Sequence, residues 1–177
     1  MSDDYNLEII YATLVSWDMN SRGAKMKYFD EFKGTLISNM RQLNELEICA
    51  MAFDPNDTFS TLRCLEKIFP KLNLMETRGR LVSNSKCLHF LFPSVCMPMD
   101  RKNTLTYLYG NTGESVNKYI EICQFAFEIM QSPPNNYHQF VDDQWNTTIP
   151  KMIDNAIILL VGKSVKVSTQ QVNEGDG

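Results

Sequence analysis

Several familiar signatures are missing from this sequence, and each absence removes a class of function. The five cysteines, Cys49, Cys64, Cys87, Cys96 and Cys123, are odd in number and include no CxxC pair. Free thiols in a reducing compartment are therefore expected rather than the disulfide framework of a small secreted domain. The first residues lack the basic, apolar and small-residue order of a secretory leader. The longest apolar run, Ala156 to Val161, falls far short of the roughly 20 residues a membrane helix needs. The expected location is cytoplasmic, or nuclear in a eukaryote, with no membrane partner.

Catalytic signatures are scarce as well. There is no Walker loop and no strand-linked G-x-G-x-x-G, which argues against nucleotide hydrolysis and dinucleotide cofactors. Ser83 and Ser85 lack the G-x-S-x-G elbow of a serine hydrolase. Cys87, His89 and Cys96 invite a zinc reading, but their spacing matches none of the usual ligand patterns. No metal and no cofactor is expected. A histidine flanked by Leu88, Phe90 and Leu91 reads first as a hydrogen-bonded core residue and only second as a catalyst.

What the sequence does contain is ordinary globular material. With 177 residues, 44% hydrophobic and 21% charged, it has enough apolar content to bury one core and too much for a disordered chain. Seventeen basic against twenty-one acidic side chains give a net charge of −4, so a protein coated in phosphate-neutralising residues is not expected. Basic residues can still gather locally.

Helical periodicity dominates. Leu7, Ile10, Tyr11 and Leu14 make one apolar stripe, predicting a helix from about Asp4 to Trp17. Phe32, Leu36, Met40 and Leu43 predict a second from Asp30, its N-cap, to Cys49. Phe59 to Phe69 predicts a third, stopped by Pro70. Ser83 and Asn84 suit the cap of a short helix through Phe92, and an apolar corner follows from Pro93 to Pro98. Asp100 stands where an N-cap belongs, ahead of Leu105, Leu108 and Tyr109. Glu114 to Met130 carries another strong stripe, ended by Pro133 and Pro134, and Tyr137 to Trp145 is a weaker helical candidate. Pro150 suits the first turn of a last helix closing near Val161, with Gly162 as its C′ residue. Val165 to Thr169 reads as a short strand or as nothing. The expected fold is all-α, one compact domain of seven or eight helices over residues 1–167, then a flexible tail, 168–177.

Eight of the seventeen basic residues fall in a few short stretches: Arg22, Lys25 and Lys27, then Arg78, Arg80, Lys86, Arg101 and Lys102. Loops leading into helix N-termini suit anions, because unpaired backbone N–H groups and the helix dipole add to side-chain charge. A phosphate-binding face built from Arg22, Lys25, Arg78, Arg80, Lys86, Arg101 and Lys102 is one reading. Ordinary surface charge is the other. Asp100 has two compatible readings, an N-cap and a carboxylate aimed into a pocket as a general base.

Taken together, Ser21-Arg22-Gly23-Ala24-Lys25, Phe29-Asp30-Glu31-Phe32, Leu81 to Lys86, Leu88-His89-Phe90-Leu91, Pro93, Pro98 and Asp100-Arg101 resemble a family of small uncharacterised helical proteins. The resemblance runs from Leu7 to Met130 and implies fold unity without an activity. The order of Leu88 to Leu91, the Pro93–Pro98 corner, Met99 and Asp100 is also similar to the helix-hairpin-helix DNA glycosylase superfamily. That likeness implies a catalytic carboxylate at Asp100 and extrusion of a base from DNA. Thr77-Arg78-Gly79-Arg80-Leu81 has one glycine where that family's hairpin has more, and Lys86 is the one candidate for the lysine of its bifunctional members. Two function classes stand: a helical protein binding DNA, RNA or another phosphate ligand, with catalysis open, and a non-enzymatic protein–protein interaction module.

Overall fold

The computed structural model describes residues 4–19, 24–131 and 139–173, with backbone alone at 4, 18 and 163–173. Among the described residues the fold is all-α. Eight helices occur: α1 (Asp4–Leu14), α2 (Phe29–Ser38), α3 (Met40–Met51), α4 (Phe59–Ile68), α5 (Leu81–Leu91), α6 (Thr106–Tyr109), α7 (Val116–Gln131) and α8 (Ile149–Asn173). Wide π-type turns extend α1 through Val15–Met19 and precede α6 at Arg101–Leu105. Among the described residues β-type pairing is confined to isolated bridges, such as Met26 opposite Met75. None of these helices is long and apolar enough to cross a membrane.

One continuous core holds the helices together. α7 lies at its centre, burying Tyr119, Ile122, Cys123, Ala126 and Phe127. Phe69 stacks on Tyr119 with centroids 4.1 Å apart, joining the end of α4 to α7. α3 and α4 pack as a helical hairpin, α4 and α5 both lean on α7, and α1 crosses α5. The later part of the Pro93–Pro98 corner belongs to this core: Pro93 and Ser94 are exposed, whereas Val95, Cys96, Met97, Pro98 and Met99 are all buried.

Several expected boundaries shift for local reasons. The long second helix divides at Asn39, whose side-chain amide donates to the Thr35 carbonyl at 2.9 Å. Thr35 and Ser38 also bond backward to main-chain carbonyls, and such competition weakens the helical ladder. Asp30 is not the N-cap; α2 starts one residue earlier, and Asp30 and Glu31 sit in its first turn, favourable to the dipole. Gly162 does not close the last helix. A Cβ there would meet nothing within 4 Å, and an exposed glycine inside a helix costs only about 1 kcal/mol.

α8 therefore runs on through Val165 to Thr169, where a strand was the alternative, and takes up residues 168–173 of the expected tail. The Tyr137–Trp145 candidate reduces to one short 3₁₀ turn at Gln139–Phe140, with residues 137 and 138, like Pro133 and Pro134, outside the described residues.

Candidate functional site

A cleft of about 570 Å³ opens between α5, the turns after α1 and before α6, and the segment joining α4 to α5. Trp17, Met19 and Met75 give it apolar wall, and Lys86, Asp100, Arg101 and Lys102 give it charge. The sequence explains this gathering. α5 carries Lys86 on its half-buried face, and the buried corner after α5 turns the chain back to deliver Asp100 beside it.

Asp100 caps the turn that follows it. Its Oδ1 accepts from the Asn103 N–H at 2.7 Å, and its own N–H donates to Thr104 Oγ1 at 3.1 Å. This reciprocal arrangement fixes the carboxylate at the mouth of the cleft with one oxygen engaged in the cap. The capping role expected of Asp100 is thus in place, and it lines the cleft as well.

Of the seven residues expected to form a phosphate-binding face, Lys86, Arg101 and Lys102 meet at this cleft. Arg78 and Arg80 do not; they border a separate depression of about 250 Å³ with Glu114. Lys25 is engaged elsewhere, 2.6 Å from Glu76 on the surface. Arg22 lies outside the described residues.

The N-terminus of α5 was an expected anion site, and the chain fills it with its own anion. Glu114 Oε2 accepts from the backbone N–H groups of Arg80 and Leu81 at 2.9 and 3.0 Å. Oε1 accepts from the Arg101 guanidinium, at 2.8 Å from Nε and also from a terminal nitrogen. Ser83 and Asn84, expected to cap this helix, are instead buried inside its first turn. Ser83 donates back to the Arg80 carbonyl, and Asn84 Nδ2 donates to the carbonyls of Phe69 and Leu72 at 3.1 and 2.9 Å. Gly79 leaves room for the arrangement, because a Cβ there would push aside the end of the Arg101 side chain.

Behind the cleft lies a second layer of charge. Lys86 and Lys151 stand over the Trp17 ring, 5.1 and 5.8 Å from its centroid, which also packs at 5.0 Å on Phe90. Asp154 pairs with Lys151 at 2.7 Å, and its Oδ1 is buried with no partner. Burial pushes the Asp154 carboxyl up, the Lys151 ammonium opposes that shift, and the charges of Lys86 and Asp100 also reach it. Sequence reading missed Trp17, Glu114, Lys151 and Asp154. Asp154 was findable, since it shares with Ile153 and Ile157 the buried face of α8.

His89 is a core residue. Its Nδ1 lies 2.8 Å from the Cys96 carbonyl, a partner that can only accept, so the proton sits on Nδ1. Burial, aided by the nearby Lys151 charge and opposed by the Cys96 bond, pulls its pKa below the ordinary 6.5. The neutral ring is thus favoured by folding. Stability from this group is complete above about pH 6.5 and falls as pH drops below it toward the lower folded value. We expect melting temperature to fall between pH 7 and pH 5 more steeply in the wild type than in His89→Asn. That variant keeps a donor for the Cys96 carbonyl and does not titrate; equal slopes in a thermal scan would remove His89 from the explanation.

Burial pushes the Cys87 thiol up to about 12 and the Cys96 thiol well above its ordinary range, so neither offers a ready thiolate. Among the described residues no three His, Cys, Asp or Glu side chains converge as a metal site requires. No family model, curated protein or solved structure matches this chain.

Proposed function

We propose that the 570 Å³ cleft is a phosphate-binding site through which the protein engages nucleic acid. The observation that carries this reading is the meeting of Lys86, Arg101 and Lys102 around one opening walled by Trp17. Lysine and arginine hold phosphates, and an indole edge gives a base something to pack on. The acidic balance of the whole chain does not oppose this, because the field that matters is local. Asp100, half-buried at the rim, is the residue to which a general-base role would fall, in keeping with the glycosylase-like order of its segment.

Fluorescence anisotropy with single- and double-stranded oligonucleotides over a salt series tests the reading. Lys86→Ala and Lys102→Ala should each weaken binding and reduce the salt slope by about one. Arg80→Ala, at the separate depression, should matter less. An Arg80→Ala effect equal to that of Lys86→Ala would move the site to the N-terminus of α5. Absence of binding to any DNA or RNA at low salt would sink the reading.

The other class, a protein-interaction module, is favoured by one observation, the consecutive exposed residues Ile158, Leu159 and Leu160 on α8.

A further inference from the structure

The thiols occupy two environments. Cys87, Cys96 and Cys123 are buried in the core, whereas Cys49 on α3 and Cys64 on α4 are half-buried at the surface of the helical hairpin. Their sulfurs stand 3.3 Å apart, closer than the roughly 3.5–4.0 Å at which even carbon atoms pack. We propose that Cys49 and Cys64 are a disulfide-forming pair, a reversible covalent clamp across the α3–α4 hairpin.

The geometry leaves little to be done. A disulfide needs the sulfurs about 2.05 Å apart, so the remaining approach is roughly 1.3 Å, within reach of side-chain rotation. The packing of α3 against α4 is what brings the two residues to this distance. The same residues would be a poor metal site, since no third ligand joins them among the described residues.

The oxidant class is a low-molecular-mass disulfide. Burial and the hydrogen bond to Cys49 push the Cys64 thiol up to about 11, and across the 3.3 Å contact either sulfur can donate to the other. Either thiol can lead; where Cys49 loses its proton to solvent first, its thiolate attacks. It forms a bond to one sulfur of the small disulfide; that disulfide's S–S bond breaks, and one thiolate leaves and takes up a proton. Cys64 then gives its proton to solvent and attacks Cys49 Sγ in the mixed disulfide, expelling the second small thiol. Two protein thiols lose two electrons, and one small disulfide becomes two thiols.

The clamp closes a loop of sequence separation 15 around the Asp54–Asp57 turn. Neither cysteine lines the cleft, so clamping should change stability and leave ligand binding there alone. The inference therefore stands or falls independently of the nucleic-acid reading.

The full chain is incubated with glutathione disulfide, alkylated under denaturing conditions, digested and analysed by mass spectrometry. The expected result is one linked peptide pair carrying Cys49 and Cys64, with Cys87, Cys96 and Cys123 alkylated. Melting temperature should rise by on the order of 5 °C and return with dithiothreitol. Cys64→Ser should stall at glutathionylated Cys49 with no such rise, and circular dichroism verifies that it is folded. Linkage of any other pair, glutathione on both residues without a link, or unmodified Cys49 and Cys64 in the wild type would each overturn the proposal. Those three outcomes are read on the wild-type chain, so they do not depend on a variant folding.

Discussion

Glu114→Ala is expected to lower stability by about 3 kcal/mol, a fall of roughly 6–12 °C in melting temperature, while tightening nucleic-acid binding at the cleft. The stability loss follows from what the carboxylate holds. Two backbone N–H groups at the start of α5 lose their acceptor, and no side chain of the helix's own first turn replaces it. A charged acceptor at such a position is worth more than a neutral one, because it also opposes the positive end of the dipole. The binding gain follows from Arg101. Its guanidinium lines the cleft but is neutralised by Glu114, and removing the carboxylate returns a full positive charge to the opening. Opposite signs in the two readouts make the experiment decisive. Glu114→Gln should lie between, since an amide oxygen still accepts from one N–H but carries no charge. Differential scanning fluorimetry and oligonucleotide anisotropy on the same samples give both numbers. A variant that loses stability and affinity together would show that Arg101 needs Glu114 to be held in place.

Asn84→Ala is expected to cost a comparable amount, about 3 kcal/mol. Asn84 is 1% exposed and donates to two main-chain carbonyls, those of Phe69 and Leu72, at the point where the chain leaves α4. Without it both acceptors stay buried with a donor missing, at about 1–3 kcal/mol each before any relaxation. Asn84→Asp separates the causes. It has nearly the same shape, loses both donors and sets a carboxylate against two carbonyl oxygens. That variant should be less stable than Asn84→Ala at pH 7 and recover as acid protonates it, the sign expected of a carboxyl whose folded pKa is raised. Denaturant titration at two pH values measures it. Equal stability of Asn84→Asp at both pH values would mean the side chain has turned to solvent. The effect should also reach the cleft wall, because Met75 and Thr77 lie just beyond Leu72.

How much of this was legible in the sequence depends on how local the determinants are. α7 was readable because its stripe is long and nothing interrupts it. The Asp100 cap was readable because it is decided within four residues. The break at Asn39 was not, since an apolar stripe continues through it while three side chains quietly redirect hydrogen bonds. In sequence the basic segment reads as one face. Chain neighbours in it nevertheless diverge: Arg80 turns to one depression, and Lys86, one and a half turns along α5, to the other. Glu114 was invisible for a plainer reason. Its partner N–H groups lie 34 and 33 residues away, and no one-dimensional pattern encodes a meeting at that range.

The corner before Asp100 is a loop by backbone shape and core by surroundings. Val95, Cys96 and Met97 are fully buried, and the Cys96 carbonyl is tied to a histidine ring. Opening such a segment to water requires exposing the same apolar surface as opening α7, so its amides should exchange on the slow, near-global timescale rather than the loop timescale. Pro93 and Ser94 stay exposed at its start, but from Val95 to Met99 a protease would find no accessible chain. Whatever Asp100 meets in the cleft, it meets from a mount as stiff as the protein's interior.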